Sequence, residues 1–270
     1  MRVETALPSP IAGAGRFWDY LYPDPETYAT ASVGRLRNYD TGVITAPTFQ
    51  SFGGGVDFNT QVRQGALAIA FGCGAGGAGV GRGAQFFPAR VPLITSRSPA
   101  GNPTFNDLAC WRLVWMCALF AAPQVTGEVT CACITNQGTP AWIAGLSDGF
   151  GFHFKSDGSV SFASVRGGAL VETALTAGGF DVTLMHMYEL RLTAATDTTD
   201  AALQVVIDNA PQVVPASQSS WAAGTALPNV QNVGGGPGFL PMLRMVSDSV
   251  NALYLHQFRG IAAPTQAGLL

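Results

Sequence analysis

Apolar and polar residues alternate along the chain in short runs, and glycine or proline interrupts these runs every few residues. The 270 residues include 33 glycines and 17 prolines. Almost no segment keeps the repeat of a helix for long, whereas a repeat of two residues is typical of strands. We therefore predict an all-β protein made of many short strands.

The clearest alternation predicts a hairpin between residues 150 and 162. Three phenylalanines alternate with other residues in the run Phe150-Gly151-Phe152-His153-Phe154-Lys155. The turn Ser156-Asp157-Gly158-Ser159 follows, and then the run Val160-Ser161-Phe162. Asp-Gly between two alternating runs indicates a hairpin turn, because glycine tolerates the positive φ that such a turn requires.

Further strands are predicted at residues 67–71, 111–120, 129–135, 184–192, 203–207 and 252–259. The run 111–120 is apolar on both faces except at Arg112, which predicts a central strand buried on both sides. In the run 184–192, one face carries Leu184, His186, Tyr188, Leu190 and Leu192. Many short strands separated by turns indicate a sandwich or a barrel.

The chain divides into an arm, a body and a tail. Residues 1–16 contain prolines and small residues and predict an extended N-terminal arm. Residues 17–262 predict the β-sandwich, in which 72–107 are a glycine- and proline-rich loop region and 105–262 carry the clearest strand pattern. Residues 263–270 are a C-terminal tail, and a second glycine stretch lies at 233–238.

An aromatic cluster follows the arm and contains Phe17, Trp18, Tyr20 and Tyr22. Such a cluster fills either the chain's own core or a groove on a neighbouring subunit, and the core is the commoner place. We keep the four aromatic residues as candidate interface residues, together with Gly74, Gly76 and Gly79.

The three glycines match the GxGxxG spacing of a dinucleotide-binding loop after a predicted strand. Such a loop needs a helix that begins at the third glycine, so that its first amides meet the pyrophosphate. Gly81, Gly83 and Pro88 follow instead, and the next acidic residue is Asp107. We therefore predict no cofactor and interpret the segment as a loop or an inter-subunit strap.

Composition points to a covered surface. Charged residues make up 11% of the chain, against about 25% in a typical soluble domain. Because a freely diffusing protein keeps a charged surface, we expect other subunits to cover part of the surface of this protein.

The net charge of −3, without a basic cluster, argues against nucleic-acid binding. No apolar run suits a membrane span, and the first ten residues lack the apolar segment of a secretory signal.

The five cysteines are Cys73, Cys110, Cys117, Cys131 and Cys133. Zinc-site spacing with CxxC pairs or nearby histidines is absent, so no metal is predicted. Buried free thiols are the favoured interpretation. A bridge from Cys110 or Cys117 to the region of Cys131 stays open as the alternative.

The sequence predicts no enzyme active site. GxSxG and HExxH are absent. A glycosidase needs two carboxylates that face each other across the sugar, and among the glutamates only Glu26 has an acid two residues away, Asp24. The histidines His153, His186 and His256 are interpreted as core, surface or interface residues.

A glycan site would need a stacking aromatic residue beside polar side chains on loops, often with Ca²⁺ held by Asp and Asn oxygens. The candidates are Trp142, Asp148, Asp157 and Trp221. No D-x-D-x-D ladder occurs, and the two aspartates are more simply explained as turn residues.

The order of these motifs resembles the concanavalin A-like or laminin-G-like jelly roll. It comprises the hairpin at 150–162, the strand Tyr188-Glu189-Leu190-Arg191-Leu192, and the strand Leu203–Ile207 followed by Asp208-Asn209. In that family a Y-x-L-x-L strand precedes a v-x-v-x-i-D-G strand, and here Asn209 stands in place of the glycine. The resemblance covers residues 105–262 and implies an antiparallel jelly-roll β-sandwich.

Domains of this kind recur in virion proteins of tailed bacteriophages, as capsid decoration proteins and in tail fibres. The resemblance therefore implies a non-enzymatic structural protein of a virus particle, most simply a capsid decoration or cement protein. Its expected partners are its own copies, as a homotrimer, and a major capsid protein, in a virion made in a bacterial cytoplasm. The alternative is a glycan-binding, lectin-like module of a tail or head fibre.

Overall fold

The computed structural model describes residues 18–22, 36–38, 44–45, 48–52, 56–73, 83–87, 110–119, 128–132, 149–155, 157–166, 168–176, 180–193, 195, 199–222, 242–246 and 251–263. The strands among them are β1 (Trp18–Tyr22), β2 (Leu36–Asn38), β3 (Ile44–Thr45), β4 (Thr48–Phe52), β5 (Val56–Arg63), β6 (Ala66–Cys73), β7 (Gly83–Phe87), β8 (Cys110–Leu119), β9 (Glu128–Ala132), β10 (Gly149–Phe154), β11 (Val160–Arg166), β12 (Ala169–Ala174), β13 (His186–Thr193), β14 (Ala201–Ile207), β15 (Ala210–Pro211), β16 (Ser220–Trp221), β17 (Met242–Val246) and β18 (Asn251–Ala263). One short helix, α1 (Ala216–Ser219), precedes β16.

The described strands form two antiparallel sheets. The large sheet has eleven strands, with the order β15-β14-β13-β8-β18-β1-β2-β3 along its main path. β16 also pairs with β14, and β6 joins β18 to β5. The small sheet has seven strands in the order β12-β11-β10-β9-β17-β7-β4. Each sheet contains strands from the N-terminal and from the C-terminal part of the chain. The predicted all-β jelly-roll sandwich is therefore confirmed.

Aromatic side chains from the two sheets meet in the core. The predicted hairpin is confirmed, because Phe152 of β10 pairs in register with Phe162 of β11. The ring of Tyr188, in β13 of the large sheet, lies 5.2 Å from that of Phe152 and 5.0 Å from that of Phe154. Toward the other end of β10, Phe150 stacks on Trp111 of β8 at 5.9 Å. The phenylalanines whose alternation predicted the hairpin therefore form the face of β10 that points into the core.

The strand β8 lies in the middle of the large sheet and is buried on both faces, as its apolar sequence predicted. It pairs with β13 on one side and with β18 on the other. Leu113 and Trp115 face the small sheet, while Val114 on the opposite face is also buried. The exception in the pattern, Arg112, contacts the buried carboxylate of Glu189 on β13.

Several element boundaries differ from the sequence predictions. Leu184 is 51% exposed and precedes β13, which begins at His186, because residues 180–185 form a loop that precedes the strand. The expected loop region 72–107 contains β7, whose backbone pairs with both β4 and β17. The final strand β18 runs to Ala263, beyond the predicted end at 259, because β1 and β8 pair along both its edges.

Gln218 in α1 links the two sheets at the free edge of β12. Its Nε2 donates a hydrogen bond to the carbonyl oxygen of Val171 at 2.8 Å, and its Oε1 accepts one from the hydroxyl of Thr173. Gln218 is buried, and β16, which pairs with β14 of the large sheet, follows it directly. The side chain therefore satisfies a carbonyl on a sheet edge that would otherwise be open to pairing.

Two of the cysteines lie in the described part of β8 with their side chains placed. Cys110 and Cys117 are both buried and neither takes part in a disulfide, which confirms the favoured interpretation for these two residues. No helix in the described ranges has the length and apolar character that crossing a membrane requires.

Candidate functional site

Four chain segments converge at one end of the sandwich, which we call the loop end. They are the β5–β6 turn at Gln64-Gly65, the β10–β11 turn at residues 157–159, the loop of residues 180–185 and the β14–β15 turn at Asp208-Asn209. We call residues 180–185 the Asp181 loop. Hydrogen bonds join this loop to the β5–β6 turn directly and to the β14–β15 turn through His186. The backbone of Phe180 packs against Gly158 of the β10–β11 turn.

The Asp181 loop is anchored to the β5–β6 turn by one glutamine. Gln64 Nε2 donates to the carbonyl oxygen of Thr183 at 2.6 Å, and Gln64 Oε1 accepts from the amide of Met185 at 2.7 Å. Gln64 has φ of 52° and Gly65 has φ of 76°, which are the positive values of a tight hairpin turn. The turn therefore aims the side chain of Gln64 at the loop backbone.

Asp157 and Asp181 lie on neighbouring segments in the same local motif. Asp157 Oδ1 accepts hydrogen bonds from the amide and hydroxyl of Ser159 at 2.9 and 2.6 Å. Asp181 Oδ1 accepts the equivalent bonds from Thr183 at 3.0 and 2.5 Å. Because these donors favour the charged carboxylate, the pKa of each aspartate lies below its ordinary value.

The two motifs touch each other through the backbone. Gly158, with φ of +80°, packs so closely that a Cβ on it would lie 3.3 Å from the carbonyl oxygen of Phe180. The β10–β11 turn therefore packs directly against the Asp181 loop, and both aspartates are exposed.

His186 and Asp208 hold the far side of the Asp181 loop. His186 Nδ1 lies 2.6 Å from Asp208 Oδ2, and His186 Nε2 lies 3.0 Å from the carbonyl oxygen of Asp181. Asp208 Oδ1 accepts from the amide of Met187 at 2.9 Å. The ring of Phe180 lies 4.3 Å from the imidazole, tilted by 32°. The loop end therefore carries an aromatic ring packed against His186, and carboxylates that their own turns hold in place.

This arrangement suits a ligand with many hydroxyl groups. Asp157 and Asp181 each use one carboxylate oxygen within their own turn, and the second oxygen takes no hydrogen bond from the residues that the structure describes. Ligand sites commonly combine an aromatic surface with a few placed polar groups. Among the described residues, no group of three or more His, Cys, Asp or Glu side chains is placed to hold a metal ion.

Two further charged clusters lie on the outer faces of the sheets. On the small sheet, Glu172 of β12 contacts His153 and Lys155 of β10. Burial raises the pKa of Glu172, but hydrogen bonds from Lys155 and His153 outweigh it, so this pKa lies below its ordinary value. On the large sheet, Glu189 contacts Arg112 and Arg191.

These two glutamates lie on opposite sides of the sandwich. Glu172 is in register with Ala163 and Gly151 and so points away from the core phenylalanines. Glu189 alternates with Tyr188 and Leu190, which face the core. Because the core separates them, Glu172 and Glu189 cannot act as the facing acid pair of a glycosidase.

The structure separates the candidate glycan residues whose positions it describes. Asp157 lies at the loop end, in the β10–β11 turn. Trp221 is 7% exposed and its ring lies 5.7 Å from that of Phe150, at the opposite end of β10. Trp221 therefore belongs to the core, where its apolar area is buried, and it has no surface for stacking on a sugar. Trp142 and Asp148 lie outside the described residues.

The candidate interface residues of the aromatic cluster lie in β1, inside the large sheet. Trp18, Tyr20 and Tyr22 pair through their backbone with Ala262, Gly260 and Phe258 of β18. Tyr22 is fully buried, so its side chain is part of the chain's own core and offers nothing to a neighbour. Phe17, Gly74, Gly76, Gly79, the arm and the stretch 233–238 lie outside the described residues.

Sequence reasoning missed Phe180, Asp181 and Gln64 as parts of a site. One signal was available, because Asp157-Gly158-Ser159 and Asp181-Val182-Thr183 share the pattern D-x-[ST], which is typical of Asx turns. No comparable signal marks Gln64, and the sequence marks Asp208 only as the aspartate that follows a strand. Their roles depend on contacts across 119 and 22 residues of sequence.

Comparison with known proteins supports the fold. No family model matches the chain, and no curated protein matches it. A solved protein of unknown function from Shewanella oneidensis MR-1 aligns over 93% of this chain and 88% of its own, with 13% identity and a TM-score of 0.52. This likeness shows that the two proteins share a fold.

Two other solved structures are similar at a lower level. The carbohydrate recognition domain of Emp47p aligns over 80% of this chain and 88% of its own, with 8% identity and a TM-score of 0.43. The binding domain of botulinum neurotoxin DC, in complex with rat synaptotagmin II, aligns over 94% of this chain with 8% identity and a TM-score of 0.47. The chain spans 49% of the neurotoxin chain.

Proposed function

We propose that this protein is a non-catalytic glycan-recognition module that binds its ligand at the loop end. The observation that carries the proposal is that Phe180 and the exposed, internally bonded turns of Asp157 and Asp181 lie together at the loop end, where the backbone of Phe180 packs against Gly158. Sugars offer hydroxyl groups that donate to carboxylates, and an apolar ring face that packs on an aromatic side chain. Turns that are ordered before binding lower the entropic cost of recognition.

The charges at the loop end favour neutral sugars. Asp157, Asp181 and Asp208 carry three negative charges on this surface, whereas His186 offers at most one positive charge. Sialylated or sulfated glycans would meet like charges, which costs affinity. We therefore expect neutral hexoses or N-acetylhexosamines to be bound in preference to acidic glycans.

A glycan array tests this proposal. The whole chain should bind neutral glycans, and Phe180→Ala should weaken that binding about tenfold, equivalent to about 1.4 kcal/mol, because the ring that packs on the sugar is removed. Asp181→Asn should weaken it as well, since one strong acceptor becomes a weaker one.

The matched control is Val213→Ala. Val213 is 91% exposed and lies after β15, outside the loop end, so its truncation should leave glycan binding unchanged. The proposal would be overturned if the wild-type chain bound no glycan, or if wild type and Phe180→Ala bound glycans equally well.

A structural role in a virus particle is the second candidate, and composition supports it. Charged residues make up only 11% of the chain, against about 25% in a typical soluble domain, so the surface carries less charge than is usual for a freely diffusing protein. In this role the chain would pack as a homotrimer beside a major capsid protein in a bacteriophage virion, as a capsid decoration or cement protein.

Light scattering on the purified chain, with and without residues 1–16, tests the second candidate. A stable trimer that dissociates when the arm is deleted would support an assembly role. A monomer that the deletion does not change would contradict it and leave glycan recognition as the account of this protein.

A further inference from the structure

His186 bridges two segments of the loop end through both of its ring nitrogens. Nδ1 lies 2.6 Å from a carboxylate oxygen of Asp208, and Nε2 lies 3.0 Å from the backbone carbonyl oxygen of Asp181. An ionised carboxylate and a carbonyl oxygen accept hydrogen bonds and donate none. Both contacts are therefore hydrogen bonds only if both ring nitrogens carry a proton.

A neutral imidazole cannot make this bridge. It has one N–H group and one nitrogen with a lone pair. In either tautomer, one of the two oxygens would face that lone pair without a hydrogen bond. The imidazolium form donates to both oxygens, and its positive charge also interacts favourably with the Asp208 carboxylate.

The surroundings of the ring are consistent with a positive charge. The exposed carboxylate of Asp181 lies five residues before His186, and after the hydrogen bonds from Thr183 an imidazolium at His186 would further hold the pKa of Asp181 below its ordinary value. Two further titratable groups lie nearby: the phenol ring of Tyr188, at 6.2 Å on the same strand, and the thiol of Cys117, in register on β8.

We propose that His186 is a positioning residue that, in its imidazolium form, ties the Asp181 loop to the Asp208 turn and makes ligand binding at the loop end depend on pH. The inference rests on the proposed function, since the site it controls is the proposed glycan site. Phe180 packs against the imidazole at a tilt of 32°, so the position of the Phe180 ring depends on the same bridge.

The direction of the pH effect follows from the donors. Histidine typically changes its charge between about pH 5 and pH 8. At the acidic side of this range both bonds form and the Asp181 loop is held. As the pH rises, the imidazole loses one N–H and one bond, the loop is released on that side, and glycan binding weakens.

The substitution Asp208→Asn tests whether the bridge requires the second proton on the His186 ring. An amide donates from Nδ2, so it can donate to the bare Nδ1 of a neutral ring while Nε2–H donates to Asp181. Its Oδ1 still accepts from the amide of Met187. The variant should therefore keep the bridge when the ring is neutral, so that glycan binding no longer weakens as the pH rises.

Binding to neutral glycans on the array, read at about pH 5.5 and about pH 8, gives the first measurement. We expect wild-type affinity to fall about fivefold or more over this interval, equivalent to about 1 kcal/mol, and that of Asp208→Asn not to fall. Asp200→Asn is the matched control, because Asp200 is exposed and directly precedes β14, whereas Asp208 directly follows it. This control should behave as wild type.

The ¹⁵N NMR signals of the His186 ring give a second measurement that needs no ligand. At about pH 5.5, both ring nitrogens should carry protons in wild type, and at about pH 8 the ring of Asp208→Asn should carry its single proton on Nε2. A neutral His186 ring in the wild-type protein at about pH 5.5 overturns the proposal. Absence of glycan binding at both pH values instead overturns the proposed function and with it the regulation, and the ring signals still show whether the bridge exists.

Discussion

The carboxylate of Glu189 is fully buried on the outer face of the large sheet and receives a hydrogen bond at 3.3 Å from Nη2 of Arg112 on the neighbouring strand. Arg191, two residues further along β13, donates to the same carboxylate at 3.0 Å from its own Nη2. A buried charge is tolerated only when it is paired and hydrogen-bonded. This contact therefore explains why an arginine interrupts an otherwise apolar central strand.

Glu189→Gln should destabilise the protein by about 3 kcal/mol, because it leaves the partly buried guanidinium of Arg112 without its counter-charge. Arg191→Gln should cost about 1 kcal/mol or less, since 41% of the Arg191 side chain is exposed and water screens its charge. Chemical denaturation of both variants measures the difference. Equal losses would mean that the burial of Glu189 does not govern the energy of this cluster.

Stability should fall when the solution is made acidic enough to protonate Glu189. Burial raises the pKa of this carboxyl, but the hydrogen bonds from Arg191 and Arg112 outweigh burial, and its pKa lies below the ordinary value of 4.5. The stabilisation is therefore complete above that value and is lost as the pH falls below it through the lowered pKa.

Thermal unfolding measured between about pH 6 and about pH 3 checks this direction. Glu189→Gln should show a smaller loss of Tm over this interval than wild type, because the group responsible is gone. A Tm that rises as the pH falls would contradict the sign of the shift.

Gln218→Ala should cost about 2 kcal/mol, since it removes the hydrogen bonds that join α1 to the edge strand β12 and leaves the carbonyl oxygen of Val171 unsatisfied. Gln212→Ala is a suitable control, because Gln212 is partly exposed and its side chain bonds only locally, to the carbonyl oxygen of Ala210 at 2.8 Å. Urea denaturation should leave the control within about 0.5 kcal/mol of wild type.

Gly158→Ala should disturb the loop end more than Gly168→Ala does. Both glycines have φ of +80°, so both substitutions carry the same backbone strain, of about 1 kcal/mol. Only at Gly158 would the new methyl group meet the carbonyl oxygen of Phe180, at 3.3 Å, while nothing lies within 4 Å at Gly168. Glycan affinity should therefore fall in Gly158→Ala and remain at the wild-type level in Gly168→Ala.

The sequence predicted the parts of the fold that depend on local alternation. Phe150, Phe152 and Phe154 point into the core as their spacing indicates, and the Asp157-Gly158 turn follows from the positive φ that glycine accepts. The strand β12 was not predicted, because its alternating burial is carried by residues such as Thr173 and Glu172, whose sequence pattern is mostly polar or small. Its place depends on pairing with β11.

The candidate site could be predicted only in part. Asp157 was recognised as a turn residue, but Trp221 was expected at a binding surface and lies in the core instead. The sequence shows that a tryptophan is present, not whether a partner such as Phe150 covers it. The bridge of His186 depends on three segments that meet only after folding, and no local pattern encodes such a meeting.

Backbone NMR with a neutral oligosaccharide chosen from the array tests the central claim most directly. The amide signals of Gly158, Asp181 and Thr183 should shift on titration with the sugar, while those of Trp221 and Val213 should not. Shifts that cluster on the outer face around His153, Lys155 and Glu172, or the absence of any shift, would contradict glycan recognition at the loop end.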